Sequence, residues 1–183
     1  LHVVPFKKPT TEELDHDFLW RVHKEVPAKG QIAIFNRSHY EDIIAVRVKK
    51  IFPDPVWKRR YKHVLDFESM LAEEGTVIIK LFLNISKEEQ KKRLESRLQD
   101  PDKLWKFCMD DLDDRNRWDE FQTAYQDLIE KTSTPEAPWY IIPADRKWYR
   151  NLVVARLMVE KLRHLQLSLP TPNFDPASII IPD

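Results

Sequence analysis

Glycine is scarce in this sequence of 183 residues: only Gly30 and Gly75 occur, where average usage would give about 13. Neither glycine lies in a cluster, so the sequence contains no GxxxxGK(S/T) or GxGxxG loop to hold phosphates through backbone N–H groups. The single cysteine, Cys108, excludes a disulfide framework and a cysteine-based zinc site, and fits a reducing compartment. The six histidines show no HExxH or His-x-His spacing, which argues against a histidine metal site.

A long apolar run and a net charge are also missing. No apolar stretch approaches the roughly 20 residues that a membrane-spanning helix needs. The 30 basic and 30 acidic residues cancel, which argues against nonspecific nucleic-acid binding over a whole face but allows a local basic groove. We therefore expect no membrane partner, no nucleic-acid partner and a cytoplasmic location.

Short apolar runs alternate with amphipathic segments along the chain. The runs predict strands at residues 2–6, 31–35, 76–85 and 139–144. The amphipathic segments predict helices at residues 11–26, 41–48, 55–74, 87–99, 112–131 and 147–165. This order predicts an α/β fold with a parallel sheet, in one domain over residues 1–168. The proline-rich residues 169–183 are predicted to form an extended C-terminal arm.

Polar side chains follow the second predicted strand, at an edge where parallel α/β sheets bind ligands. Arg37 can bind phosphate through its planar fork of donors, and Asn36 can hold the water shell of Mg²⁺. The alternative is structural: Asn36 and Ser38 cap the strand end, and Arg37 forms a salt bridge. The residue spacing alone does not decide between these two interpretations.

Two further segments carry clustered cations. Between residues 87 and 118, nine basic residues are interspersed with nine acidic ones, so either a salt-bridged surface or a lid over a polyanion fits the pattern. After the last strand, Arg146, Lys147 and Arg150 can meet phosphate at the start of a helix. There the structural alternative is helix capping by Asp145.

Three segments together resemble the family-2 polyphosphate kinases. These are GQIAIFNRSHYED, GTVIIKLFLNISKEEQKKRLESRLQDPDKLWKF and APWYIIPADRKWYRNLVVARL, and the match runs from about residue 6 to about residue 165. The resemblance implies a three-layer α/β/α, P-loop-kinase-like fold with a helical lid at about residues 86–118. It also implies phosphoryl transfer between inorganic polyphosphate and nucleotides with Mg²⁺, or with Mn²⁺ as an alternative.

The same resemblance implies roles for individual residues. FNRS stands where the family most often has FDRS, so Asn36 would occupy the metal-binding position and Arg37 would contact phosphate. The Asn form is similar to the subgroup that acts on AMP and ADP. The residues implied as catalytic are Asn36, Arg37, Arg93 and Arg117. The residues implied in substrate binding are Ser38, Glu41, Arg97, Lys103, Lys106, Arg115, Arg146 and Lys147.

One part of the family pattern lies upstream of the matched segments: the first phosphate loop and the first strand of the sheet. We therefore expect the sequence to be part of a longer chain, and a gap between two strands of the sheet. The alternatives are an ATP-dependent kinase for a small metabolite and a catalytically inactive subunit that binds nucleotide or polyphosphate. By resemblance, the nucleotides are adenine nucleotides, with guanine as an alternative, and the assembly is a homodimer or homotetramer.

Overall fold

The computed structural model describes residues 1–165, 167–168, 171–179 and 181–182. Its four strands are β1 (His2–Pro5), β2 (Ala33–Asn36), β3 (Lys80–Asn84) and β4 (Trp139–Pro143). The helices are α1 (Thr11–Asp15), α2 (Trp20–His23), α3 (Glu41–Val48), α4 (Asp54–Glu73), α5 (Lys87–Gln99), α6 (Asp110–Asn116), α7 (Trp118–Thr132) and α8 (Lys147–His164). Short 3-10 turns cover Pro101–Lys106 and Pro176–Ser178. The predicted α/β class is confirmed.

The strands form two separate parallel pairs. β1 pairs with β2 so that Pro5 lies opposite Asn36, and β3 pairs with β4 so that Lys80 lies opposite Trp139. In the part of the chain that the structure describes, no backbone ladder joins β2 to β3. The expected break in the sheet is therefore present.

Two predicted helices are each interrupted. The prediction of one helix over residues 11–26 is wrong, because the chain forms two short helices there. His16 is extended after α1, and the Asp17 carboxylate accepts the Leu19 N–H at 2.9 Å before α2 begins. The helix expected at residues 112–131 begins earlier, at Asp110, and is broken at Arg117, whose φ of −100° and ψ of 24° leave the helical region. The strand expected at residues 76–85 is shorter, and pairs only over Lys80–Asn84.

The main hydrophobic core lies where α3, α4 and α7 pack together. Its fully buried members include Ile43 of α3, Val64 of α4 and Leu128 of α7. A smaller cluster of Val4, Phe6, Val22 and Phe67 joins β1 to α2 and α4. Residues 37–40 connect β2 to α3, so this packing fixes the helix that follows that turn.

The C-terminal helix α8 packs lightly. It touches β4 and contains no buried residue. Like the other helices in the described ranges, it does not combine the length and apolarity needed to cross a bilayer. Of the predicted arm, residues 169, 170, 180 and 183 lie outside the described residues, and the arm stays a prediction.

Candidate functional site

The end of β2 is tied on one side to β1. The Asn36 carbonyl accepts the Phe6 N–H at 3.1 Å, which extends the ladder by one bond. Arg37 follows with a φ of +63°, in the left-handed region. A residue other than glycine costs about 1–3 kcal/mol there, so the surrounding contacts must hold it. Such strained residues cluster at ligand sites, which favours a functional interpretation of this turn.

The Arg37 side chain is exposed and has no hydrogen bond or ion pair to the described residues. The structural alternative, in which Arg37 forms a salt bridge, is therefore wrong for the described residues. Burial raises the pKa of the Glu41 carboxyl, and the charge of Arg37 opposes that shift. The guanidinium thus stands near a carboxylate without pairing with it, and its donors can meet an anion.

The first turn of α3 is held by two arginines. Arg21 is buried, and its Nη2 lies 3.2 Å from an Asp42 carboxylate oxygen. Arg60 Nη1 donates to the Asp42 backbone carbonyl at 2.6 Å. Burial raises the pKa of the Asp42 carboxyl, and the charges of both arginines oppose that rise. These contacts fix where α3 begins.

A buried polar cluster lies behind the turn. Lys80 Nζ donates to Glu68 Oε2 at 2.6 Å, to the Thr132 carbonyl at 2.6 Å and to the Tyr40 hydroxyl at 3.0 Å. The Tyr40 hydroxyl donates to Glu68 Oε1 at 2.7 Å. Glu68 is 3% exposed and Lys80 is 6% exposed. We call Tyr40, Glu68, Lys80 and Thr132 the Lys80 cluster.

The cluster contains a charged pair. Burial alone would raise the pKa of Glu68, but His39, Lys80 and the Tyr40 hydroxyl together lower it. Burial lowers the pKa of Lys80, and Glu68 opposes that shift. Burial also raises the pKa of the Tyr40 phenol, which stays a hydrogen-bond donor. A carboxylate, an ammonium and a neutral phenol are therefore locked together.

Arg93 of the predicted lid contacts the end of β4. Its Nε lies 2.8 Å from a Glu89 carboxylate oxygen, and its Nη2 donates to the Ala144 carbonyl at 2.6 Å and the Asp145 carbonyl at 3.1 Å. The Asp145 carboxylate accepts the Ser86 N–H at 2.8 Å. Asp145 therefore ties β4 to the start of α5 instead of capping α8.

Arg115 and Arg117 also contact backbone carbonyls. Arg115 Nη1 donates to the Lys87 carbonyl at 2.7 Å and to Gln90 Oε1 at 2.9 Å. Arg117 Nη1 donates to the Val48 carbonyl, at the C-terminus of α3, at 2.7 Å. The two arginines therefore point to different elements of the fold.

The remaining predicted substrate-binding cations have local partners or none. Arg97 pairs with Asp111 at 3.1 Å, Lys103 pairs with Asp100, and Lys106 lies over the Trp105 ring at 4.9 Å. Arg146 and Lys147 are exposed at the start of α8, and their side chains make no hydrogen bond to the described residues. The structure does not bring the lid cations to a shared partner.

A cavity of about 250 Å³ opens at the carboxyl end of β3, between α5, α6 and α7. Its walls combine aromatic, amide and acidic side chains, and contain no lysine or arginine. The lining residues are Phe82, Leu83, Asn84, Ile85, Gln90, Asp111, Asp114, Trp118, Phe121, Gln122 and Tyr125. Burial raises the pKa of the Tyr125 hydroxyl, the Glu41 charge adds to that rise, and the Arg37 charge opposes it. The charges of Glu41 and Arg37 therefore act on the Tyr125 side of the cavity.

Residues 1–169 match the family described as Polyphosphate kinase 2. The chain belongs to the polyphosphate kinase 2 family. An AMP/ADP-polyphosphate phosphotransferase from Meiothermus ruber is 52% identical over 99% of this chain and 68% of its own length. An ADP-polyphosphate phosphotransferase from Rhodopseudomonas palustris is 39% identical over 92% of this chain and 62% of its own length.

A crystal structure of polyphosphate kinase 2 from Arthrobacter aurescens superposes with a TM-score of 0.92, at 48% identity. That match covers 97% of this chain and 62% of the solved chain. The protein thus has the fold of the polyphosphate kinase 2 family, as the resemblance implied, and spans about two thirds of these relatives.

Enzymes that transfer phosphoryl groups generally use a divalent metal, and Asn36 is the residue predicted to hold it in this family member. Mg²⁺ binds through one or two carboxylates together with substrate phosphates and water. The described residues contain no group of three or more histidine, cysteine or acidic side chains placed to bind a metal. One exposed amide does not form a metal centre, so these residues by themselves do not fit the ion.

The Lys80 cluster is the feature that sequence analysis missed. The signal was present, because Lys80 interrupts the apolar run TVIIKLFLNI and a lysine inside a buried strand needs a carboxylate partner. Glu68 lies four residues after Val64 and seven after Tyr61, on the apolar face of α4. A lysine and a glutamate at core positions indicate a buried pair.

Proposed function

We propose that this member of the polyphosphate kinase 2 family transfers a phosphoryl group between inorganic polyphosphate and AMP or ADP. The printed activities of the Meiothermus ruber and Rhodopseudomonas palustris relatives support it. The structural observation that carries the proposal is Arg37, exposed and unpaired among the described residues at the carboxyl end of β2. A strained arginine at that position suits an enzyme that must neutralise phosphate charge.

The proposed chemistry asks for charge neutralisation and positioning more than for a general base. A phosphate oxygen of AMP or ADP is already anionic, and attacks the terminal phosphorus of polyphosphate while the bridging oxygen leaves with the shortened chain. We assign Arg37 to the transferring phosphoryl group. Asn36 and Ser38, beside it, are assigned to neighbouring phosphate or metal-bound water.

The lid cations are assigned to the polyphosphate chain. Arg93 and Arg117 are proposed as catalytic, and Arg97, Lys103, Lys106 and Arg115 as binding residues, together with Arg146 and Lys147 at α8. In the structure, the lid cations contact other groups of the protein. To bind polyphosphate, they would have to release these contacts during lid closure.

The cavity beside Tyr125 is assigned to the nucleoside part of the acceptor. A polyanion is disfavoured there, because Asp111 and Asp114 contribute negative charge and no cation lines the walls. A purine base suits it better, since aromatic side chains can stack on the base and carboxylate or amide oxygens can accept from its exocyclic amine. Glu41, whose charge acts on Tyr125, is assigned to the same substrate.

Other assignments follow from family membership and stay predictions. Mg²⁺, with Mn²⁺ as an alternative, would be held largely by substrate phosphates. A homodimer or homotetramer, adenine preference over guanine and a cytoplasmic location are expected on the same ground.

The test is nucleotide formation by the complete gene product. Purified protein is incubated with AMP or ADP and long-chain polyphosphate, with Mg²⁺, and the nucleotides are separated by chromatography. We expect ADP and ATP to appear only when polyphosphate is present. Phosphorylation of a small metabolite by ATP, with indifference to polyphosphate, would favour the metabolite kinase instead. Binding of polyphosphate or nucleotide without any turnover would favour the inactive binding subunit.

A further inference from the structure

The two strand pairs are linked by side chains rather than by a ladder. Tyr40 follows β2, Lys80 begins β3, and their contact crosses the break between the pairs. Trp139, at the start of β4, packs edge-on against Tyr40 at 4.9 Å and donates to Thr132 Oγ1 at 2.9 Å. The Lys80 cluster therefore joins both strand pairs to α4 and α7.

Tyr40 of the Lys80 cluster lies three residues after Arg37 in the sequence. The left-handed Arg37 persists only if the chain is fixed on both sides of it. On one side, the Asn36 carbonyl is held by β1. On the other side, Ser38 Oγ accepts the Tyr40 N–H at 3.4 Å, and the Tyr40 hydroxyl is held by Glu68 and Lys80.

We propose that the Lys80 cluster is a positioning device for Arg37. Glu68 and Lys80 fix the Tyr40 hydroxyl, and Tyr40 keeps the preceding turn in the conformation that presents the Arg37 guanidinium to substrate phosphate. The inference rests on the proposed phosphoryl transfer. Tyr40, Glu68 and Lys80 are positioning residues, because each acts through Arg37 and none has to contact substrate.

Stability alone does not explain a buried pair of this kind. Desolvation of two charges offsets most of their attraction, and apolar residues of similar size often stabilise a fold as well or better. The side-chain pair between Arg21 and Asp42 fixes the start of α3, and the Asp42 backbone N–H donates to the His39 carbonyl at 3.1 Å. The Lys80 cluster adds side-chain contacts to these backbone bonds, because it holds the Tyr40 hydroxyl and because Glu68 Oε1 lies 3.5 Å from His39 Nε2.

A double-mutant cycle between Tyr40→Phe and Arg37→Ala tests the proposal in the complete gene product. Tyr40→Phe removes one hydroxyl and keeps the ring that packs on Trp139. We expect it to lower kcat for ATP formation by roughly tenfold or more, with KM for nucleotide and polyphosphate within about twofold. In the Arg37→Ala background the same change should lower kcat no further, because the group that it positions is gone.

Glu68→Gln provides a second variant of nearly the same shape, and should show the same loss and the same non-additivity. Val64→Ala is the matched control, since Val64 is fully buried on the same helix without a polar contact. It should lower the melting temperature and leave kcat unchanged well below that temperature. This control separates positioning from a general loss of stability.

The outcomes separate the inference from the proposed function. An unchanged kcat in Tyr40→Phe and Glu68→Gln, or an equal loss in both Arg37 backgrounds, overturns the inference while the activity stands. A wild-type protein without polyphosphate-driven transfer overturns the proposed function. In that case the cycle is read from the dissociation constant of tripolyphosphate, the anion that Arg37 would then only bind. A loss with Tyr40→Phe that disappears in the Arg37→Ala background supports the positioning role, and an equal loss in both backgrounds, or no loss, overturns it.

Discussion

Arg37 and the lid arginines are the same residue type in opposite situations. Arg37 lies in a strained turn with no partner among the described residues, whereas Arg93, Arg115 and Arg117 each hold one or two carbonyl oxygens. An unpaired cation on a constrained backbone turn is ready for an anion before substrate arrives. The lid cations have to give up contacts first, so the turn and the lid should respond differently to mutation.

The comparison also shows where the salt-bridged interpretation of the charged segment applies. Arg97 pairs with Asp111 and Lys103 pairs with Asp100, as that interpretation expects. At the strand end the corresponding interpretation does not apply, because Arg37 has no such pair in the described part of the chain.

Arg37→Ala should show the largest effect. We expect kcat for ATP formation from ADP and polyphosphate to fall by about 10²–10³, as when one donor to a transition-state charge is removed. Stability should change by less than about 0.5 kcal/mol, since the side chain is exposed. Steady-state kinetics and urea unfolding measure the two quantities.

The matched control for Arg37 is Arg59→Ala, another exposed arginine without a pair among the described residues, on α4. Its kinetics should equal those of the wild type. Equal activity of Arg37→Ala and Arg59→Ala would show that the strained turn carries no catalytic group.

Charge reversal in the lid should have a smaller effect that depends on chain length. Arg93→Glu or Arg117→Glu should raise KM for long polyphosphate by about fivefold, as expected for loss of a partly exposed ion contact. KM for the nucleotide should change less, and the effect should grow with chain length and weaken in salt. Kinetics with short and long polyphosphate measure it.

Lys92→Glu is the control for the lid, because Lys92 is exposed on α5 and makes no ion pair among the described residues. If Lys92→Glu has the same effect as Arg93→Glu, the lid acts through its overall charge and not through particular cations. An unchanged KM at both chain lengths would remove the lid arginines from the proposed polyphosphate path.

The backbone of Arg37 offers a smaller, purely structural test. Glycine adopts a φ of +63° without the clash that a Cβ atom makes, so Arg37→Gly should be more stable than Arg37→Ala by about 1 kcal/mol. Both variants lack the guanidinium and should be equally inactive. Urea unfolding measures the difference, and equal stability of the two would argue against a left-handed turn.

The pH dependence of Glu41 should give the smallest effect. Its folded-state pKa is raised above the ordinary 4.5, chiefly by burial, so folding favours the protonated carboxyl. The associated stability is present below pH 4.5 and is lost as the pH rises through the folded-state pKa. Glu41→Gln cannot ionise, and should therefore gain in melting temperature relative to wild type between pH 4 and pH 7. A difference that does not vary with pH would contradict the shift.

The sequence predicted the strands well where apolar runs are short and bounded. β1, β2 and β4 lie within two residues of their predicted ends, and α5 has its predicted bounds with Ser86 as its N-cap. It did not predict the break at Arg117, because the apolar period continues across it. At that break Arg117 donates to the Val48 carbonyl, a tertiary contact with a distant segment that the apolar period does not show.

Among the candidate site residues, too, local sequence predicted some features and missed those that depend on distant segments. Arg37 could be identified from its place after a buried strand, since a strand end fixes the location of the next residue. The partners of the lid arginines could not, because they are carbonyls of distant segments such as Ala144 and Val48. The positive φ of Arg37 could not be predicted from the sequence either, because arginine has no preference for the left-handed region.

The contact between Arg93 and the end of β4 links the lid to hydration. The Ala144 carbonyl belongs to a residue that is 1% exposed, and a buried carbonyl without a donor is costly. Arg93 can therefore leave for phosphate only as water takes its place at the strand end. Binding of the anion by Arg93 and hydration of the strand end are therefore coupled. Osmolytes that are excluded from the protein surface disfavour this hydration. They would therefore keep Arg93 bound to the Ala144 carbonyl while they raise the melting temperature.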